Sequence, residues 1–72
     1  MKVHNSLRAC RTAQGLTQAA LAERVGVSRK TINTVENSVF MPSVGLALTL
    51  ARSLGVMVED LFTLAPDEPE KP

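Results

Sequence analysis

The sequence predicts a compact all-α domain of five short helices, and three observations carry that reading. The stretch Leu16–Asn37, LTQAALAERVGVSRKTINTVEN, has apolar residues at helical spacing on both sides of a glycine, the pattern of two short helices joined by a turn. Ala and Leu dominate, the aromatic residues are only Phe40 and Phe62, and β-branched residues show little alternation, which favours helices over a sheet. Gly15, Gly26, Pro42 and Gly55 then punctuate the chain at helix-length intervals. Seventy-two residues allow one domain, with a core near the lower limit for independent stability.

Taken in order, Met1 to His4 should be frayed. Asn5 or Ser6 can cap helix 1 (residues 5–14), which stops at Gly15. Leu7, Cys10 and Ala13 share one of its faces, and Arg8 and Arg11, three apart, lie on neighbouring parts of its surface. Helix 2 (17–25) opens at Thr17, whose hydroxyl can accept from free N–H groups in the first turn. Ala20, Leu21 and Val25 form its inward face. Gly26 suits the left-handed conformation that often ends a helix, and Val27 would plug the corner. Ser28 caps helix 3 (28–37), with Ile32 and Val35 inward and Arg29, Lys30, Thr31, Asn33 and Thr34 outward. Pro42 stops any extension, Ser43 caps helix 4 (43–54), and Gly55 ends it. Helix 4 is apolar nearly all round, so it is either central in the core or covered on a second side by a partner. Helix 5 (58–62) carries Glu59 and Asp60 at its favourable N-terminal end. Residues 65–72, APDEPEKP, hold three prolines and four charges and should be disordered, which leaves a domain over residues 1–64.

Charge is distributed unevenly. Residues 1–31 carry six basic side chains against one acidic, whereas residues 32–72 carry two against six. One basic half suits a polyanion-facing side. Helix 3 fits that side, because a helix showing donors matches the acceptor-bearing base edges of the DNA major groove.

Other chemistries find no support. No apolar run is long enough to cross a bilayer and no secretory leader is visible. Cys10 is the single cysteine, so it forms no internal disulfide and suits a reducing cytoplasm. His4 has no second ligand at metal spacing. No phosphate-binding glycine loop and no nucleophile with an adjacent base is present. We expect neither catalysis, nor a metal, nor a cofactor.

The run GLTQAALAERVGVSRKTINTVEN, followed by Pro42–Ser43 and by LALTLARSLGV, closely resembles the Cro/CI-type (XRE) helix-turn-helix family, over about Ser6 to Phe62. The resemblance implies a five-helix, lambda-repressor-like DNA-binding domain, here a short member without a sensing domain, of bacterial or phage origin and at work on the nucleoid. It implies a transcriptional regulator, by default a repressor, acting as a homodimer on a pseudo-palindromic operator in double-stranded DNA. Arg29, Lys30, Thr31 and Thr34, with Asn33, stand where the family reads base edges. Thr17, Gln18 and Ser28 stand at helix starts that meet phosphates, Gln18 also bracing helix 3, and Asn37 where a backbone N–H often meets one. Arg11 and Glu36 match a structural ion pair between helix 1 and the end of helix 3. The breadth of helix 4 suggests a dimer interface of Leu46, Leu50, Leu61 and Phe62.

Departures from the family pattern also carry expectations. The glycine and the basic residue usual after helix 3 are replaced by Ser38, Val39, Phe40 and Met41, which weakens phosphate attraction. Phe40 either tucks against helix 4 or joins Val39 and Met41 in an exposed apolar patch that marks a partner surface. Met57 replaces the usual cap, so helix 5 should begin loosely, and Gly45 weakens helix 4. Two other functions stay open: an antitoxin that autoregulates its operon and masks a toxin partner, or a protein-interaction module that has lost DNA binding.

Overall fold

The computed structural model describes residues 2–65. In chain order they form β1 (Val3–Asn5), α1 (Leu7–Ala13), α2 (Gln18–Val25), α3 (Arg29–Glu36), α4 (Val44–Leu54), α5 (Val58–Leu61) and β2 (Phe62–Leu64). The disorder expected of the tail concerns residues that, apart from Ala65, lie outside this range.

Each helix sends its apolar stripe to one shared core. Leu7, Leu21, Ile32, Val35, Leu50 and Leu61 are the largest side chains with essentially no exposed surface, joined by Ala22, Ala51 and Leu54. The spacing within each helix explains the choice: Ile32 and Val35, or Leu50 and Leu54, lie one turn apart on the same face. Ala22 sits where α2 meets this cluster, and a small side chain there admits close approach.

The fold is mostly helical but not purely so. β1 and β2 pair antiparallel, with Val3 opposite Leu64, His4 opposite Thr63 and Asn5 opposite Phe62. The bonds Ser6 N–H to the Leu61 carbonyl (2.8 Å) and Ala65 N–H to the Lys2 carbonyl (2.9 Å) close it at both ends. Of the residues read as a frayed start, Lys2, Val3 and His4 are therefore pinned, and Met1 lies outside the described range. Three-residue strands are too short for a period of two to stand out, and each strand's partner lies at the opposite end of the chain.

Asn5 does more than pair. Its Oδ1 accepts from Leu7 N–H at 2.9 Å, supplying the first turn of α1 where Ser6, the formal cap, makes no side-chain bond. Its Nδ2 donates to the Val35 carbonyl of α3. The start of α5 is also held, contrary to expectation: Met57 N–H donates to Asp60 Oδ2 at 2.8 Å, so a carboxylate three residues on replaces the missing cap.

Burial bears on two further expectations. Leu50 and Leu61 are enclosed in the chain's own core and offer a partner no surface. Of the two placements open to Phe40, the exposed one holds: about half exposed, beside exposed Val39 and Met41, it borders a groove with Lys2, Val3, Asn5 and Phe62. The loop keeps the backbone that a glycine would favour, with Ser38 at φ 60.

Candidate nucleic-acid interface

The outward surface is built by α2, its turn and α3. Thr17 Oγ1 accepts from Ala20 N–H at 3.0 Å and Ser28 Oγ from Thr31 N–H at 3.1 Å, so each helix has a side-chain cap. Between them Gly26 adopts φ 76, and Gly26 and Val27 N–H both return to the Ala22 carbonyl. That left-handed residue turns the chain sharply enough for α3 to cross α2. Val27 fills the corner, half-buried against the core.

Arg29, Lys30 and Asn33 are exposed, and with Gln18 they line one shallow concavity. Among the described residues neither Arg29 nor Lys30 enters an ion pair. Thr31 and Thr34 are half-buried and turn their hydroxyls to the helix: Thr34 donates to the Thr31 carbonyl at 3.0 Å, and Thr31 Oγ1 is 2.9 Å from Ser28 Oγ. The surface thus brings two cations and two amides together, with two threonines set back from them.

Behind this surface lies a buried carboxylate. The Glu36 side chain has no exposed area and accepts from three residues: Arg11 through Nε (2.5 Å) and Nη2 (3.1 Å), Gln18 through Nε2 (3.1 Å) and Arg8 through Nε (3.3 Å). Arg11 also donates to the Leu16 carbonyl at 2.7 Å. Helices α1, α2 and α3 are thereby tied at one point. Burial pushes the Glu36 carboxyl up, but the hydrogen bonds from Arg11, Gln18 and Arg8 outweigh it and hold the group below its ordinary value. The same hydrogen bond raises Arg11, although burial works against it.

Gln18 donates inward to Glu36 and also lines the concavity with Arg29, Lys30 and Asn33. Asn37 differs from the role expected of it. Its backbone N–H donates to the Asn33 carbonyl at 3.0 Å, so that group is not free to meet a phosphate. The contribution of Arg8 went unnoticed in the sequence. Its spacing from Arg11 was the available signal, but the acceptors, Glu36 and Asn37 Oδ1 (3.4 Å), lie on a distant helix.

Comparison with known proteins agrees with this architecture. The Helix-turn-helix family HTH_3 matches residues 7–61. An uncharacterized HTH-type transcriptional regulator of Methanocaldococcus jannaschii is 42% identical over 64 residues, covering 89% of this chain and 97% of its own. A second such regulator, from Methanothermobacter thermautotrophicus, is 48% identical over 62 residues, covering 85% and 90%. Among solved structures, the restriction-modification controller protein C.AhdI of Aeromonas hydrophila is similar at a TM-score of 0.74 and 38% identity, over 78% of this chain and 85% of that one. With matching residues, matching length and the capped helix pair in place, the chain belongs to the XRE-type helix-turn-helix family of transcriptional regulators.

Proposed function

We propose that this protein is a repressor that binds double-stranded DNA sequence-specifically, with α3 in the major groove and Arg29, Lys30 and Asn33 at base edges. Thr31 and Thr34 stand close behind them. Thr17, Gln18 and Ser28, at the starts of α2 and α3, face the phosphates that fix register. The observation that carries this reading is the pair of exposed, unpaired cations on a capped helix whose far end is tied to two other helices through Glu36. A donor-bearing helix held rigidly in the domain is what groove docking requires. Weak compensation by the apolar loop 39–41 lowers the non-specific share of binding.

The working form we propose is a homodimer, so that two α3 helices meet half-sites about 34 Å apart on a pseudo-palindrome. Leu46 and Phe62, half-buried, can contribute to the interface; Leu50 and Leu61 are replaced by exposed neighbours. Met41, Val44, Phe62 and Leu64 border one shallow apolar concavity, and Leu48 stands one turn from Val44. Val44 is 77% and Leu64 63% exposed. The patch carries no charge, so it can face its own copy across a two-fold axis without repulsion.

Fluorescence anisotropy against DNA from upstream of the protein's own gene, over several salt concentrations, tests the function. Binding should exceed that to random duplex and fall at least tenfold in an Arg29→Ala, Lys30→Ala double variant. Equal affinity of the variant and the parent overturns the assignment to α3.

A further inference from the structure

The exposed side chains of α3 are led by donors, and for Asn33 this is a consequence of its neighbours. Arginine and lysine accept nothing. Asparagine normally offers a donor and an acceptor together, which is how it reads the N6 and N7 edge of adenine. Here Asn33 Oδ1 accepts from Asn37 Nδ2 at 3.2 Å, which turns the amide oxygen toward Asn37 and uses one of its two acceptor positions.

The direction of that bond follows from two further contacts. Asn37 Nδ2 lies 2.9 Å from the Asn33 backbone carbonyl, a group that only accepts, so the Asn37 atom there must be the NH2. Asn37 Oδ1, at the other end of the amide, lies 3.4 Å from Arg8 Nη2, which only donates. With both ends of Asn37 assigned, the Asn33 atom beside its NH2 is the oxygen. Asn33 Nδ2 is then the end left for a ligand, and Asn33 lines the concavity that Arg29, Lys30 and Gln18 share. The threonine hydroxyls are half-buried, Thr34 donating to the Thr31 carbonyl and Thr31 paired with Ser28 Oγ, so both are set back from the exposed side chains of α3.

Resting on the DNA-binding reading above, we infer that α3 selects guanine rather than adenine at the positions it reads, and that Asn37 and Arg8 are positioning residues for this choice. Guanine shows two acceptors, N7 and O6, to the major groove; adenine's N6 and cytosine's N4 are donors, which a surface led by Arg29, Lys30 and the Asn33 NH2 matches less well. Arg8 holds Asn37, Asn37 holds the Asn33 oxygen, and the free NH2 of Asn33 adds a third donor beside Arg29 and Lys30. A relay that begins on α1 thus reaches the base edge without touching DNA.

Selection of binding duplexes from a random library, with the parent and an Asn37→Ala variant in parallel, tests the relay. The parent should enrich guanines at the contacted positions, and replacing one such guanine by 7-deazaguanine should weaken binding at least fivefold. In Asn37→Ala the Asn33 amide is free to turn, so adenine should gain about five- to tenfold over guanine at a single position, with the other positions unchanged. Adenine already preferred at that position by the parent, or no base-specific change in the variant, overturns the inference while leaving DNA binding standing. Failure to enrich any duplex over random sequence overturns the DNA-binding reading itself, and the inference with it. Asn37 is exposed; a matching melting temperature for the variant excludes general unfolding, and the 7-deazaguanine measurement needs no variant.

Discussion

Arg11 Nε donates to Glu36 Oε2 at 2.5 Å, joining α1 to the last residue of α3 across 25 positions of sequence. The carboxylate is covered completely, so its donors depend on it as much as it depends on them. Removing one member of such a set leaves the others desolvated and unpaired, at a cost of about 3–5 kcal/mol. Glu36→Ala should therefore lower the unfolding free energy in denaturant melts by about that amount. Glu59→Ala, an exposed change, should stay within about 0.5 kcal/mol. Equal effects would show that the network contributes nothing to stability.

The same carboxylate sets an acid limit. Its value in the folded protein is lowered, so the folded state binds the proton more weakly than the unfolded state. Stability from Glu36 is then fully present above the unfolded value, near pH 4.3, and is lost as pH falls through the lower folded value. The difference in stability between the parent and Glu36→Gln should be constant from about pH 8 to pH 5 and should shrink below about pH 4. A difference that grows on acidification contradicts this sign. Arg11, already raised, stays charged throughout.

Ser38 occupies a backbone conformation, φ 60, that costs an L-residue about 1–2 kcal/mol. Ser38→Gly should stabilise the fold by about 0.5–1 kcal/mol, the relief being partly offset by glycine's greater freedom when unfolded. A β-branched residue should have the opposite effect, and Ser38→Val should destabilise by at least about 1 kcal/mol. Thermal melts of the two variants on the same side of the parent would refute the strain.

A self-complementary apolar patch can be broken by a charge that meets its own copy. Val44, exposed in the single chain, borders the patch, so in Val44→Lys the helix content should be unchanged while sedimentation equilibrium shifts to a monomer. Met57→Lys, also an exposed apolar site but not among the residues bordering the patch, should remain dimeric. A parent chain that is monomeric at high micromolar concentration would remove the dimer altogether.

The helices and their caps were legible in the sequence because each depends on neighbours within a turn or two: Thr17, Ser28 and Ser43 each accept from the residue three positions on. The Arg11–Glu36 relation was accessible only through family resemblance, since nothing local signals a bond across 25 positions. Leu50 and Leu61 show the limit of helical patterning. It ranks a helix as apolar all round but does not say which side its own domain covers, and α4 buries Leu50 while exposing Val44 and Leu48. Asn33 shows another limit: its residue type gives no sign that its amide oxygen accepts from Asn37, which is itself held by Arg8. β1 was invisible because its partner is some sixty residues away and each strand has three residues.

That pairing makes the described chain a ring fastened by a clasp. The clasp has the longest loop in the molecule to close, which carries the largest entropic cost of closure, for the sake of two three-residue strands. It should form last in folding and open first in local fluctuations. Because Asn5 in the clasp holds the Val35 carbonyl, each opening also releases the C-terminal end of α3. The C-terminal end of α3 is thus held at Glu36 by a buried ion pair and at the adjacent Val35 by the clasp. Anything that tugs on either terminus, a fused domain or a rigid tag included, pulls on that second anchor.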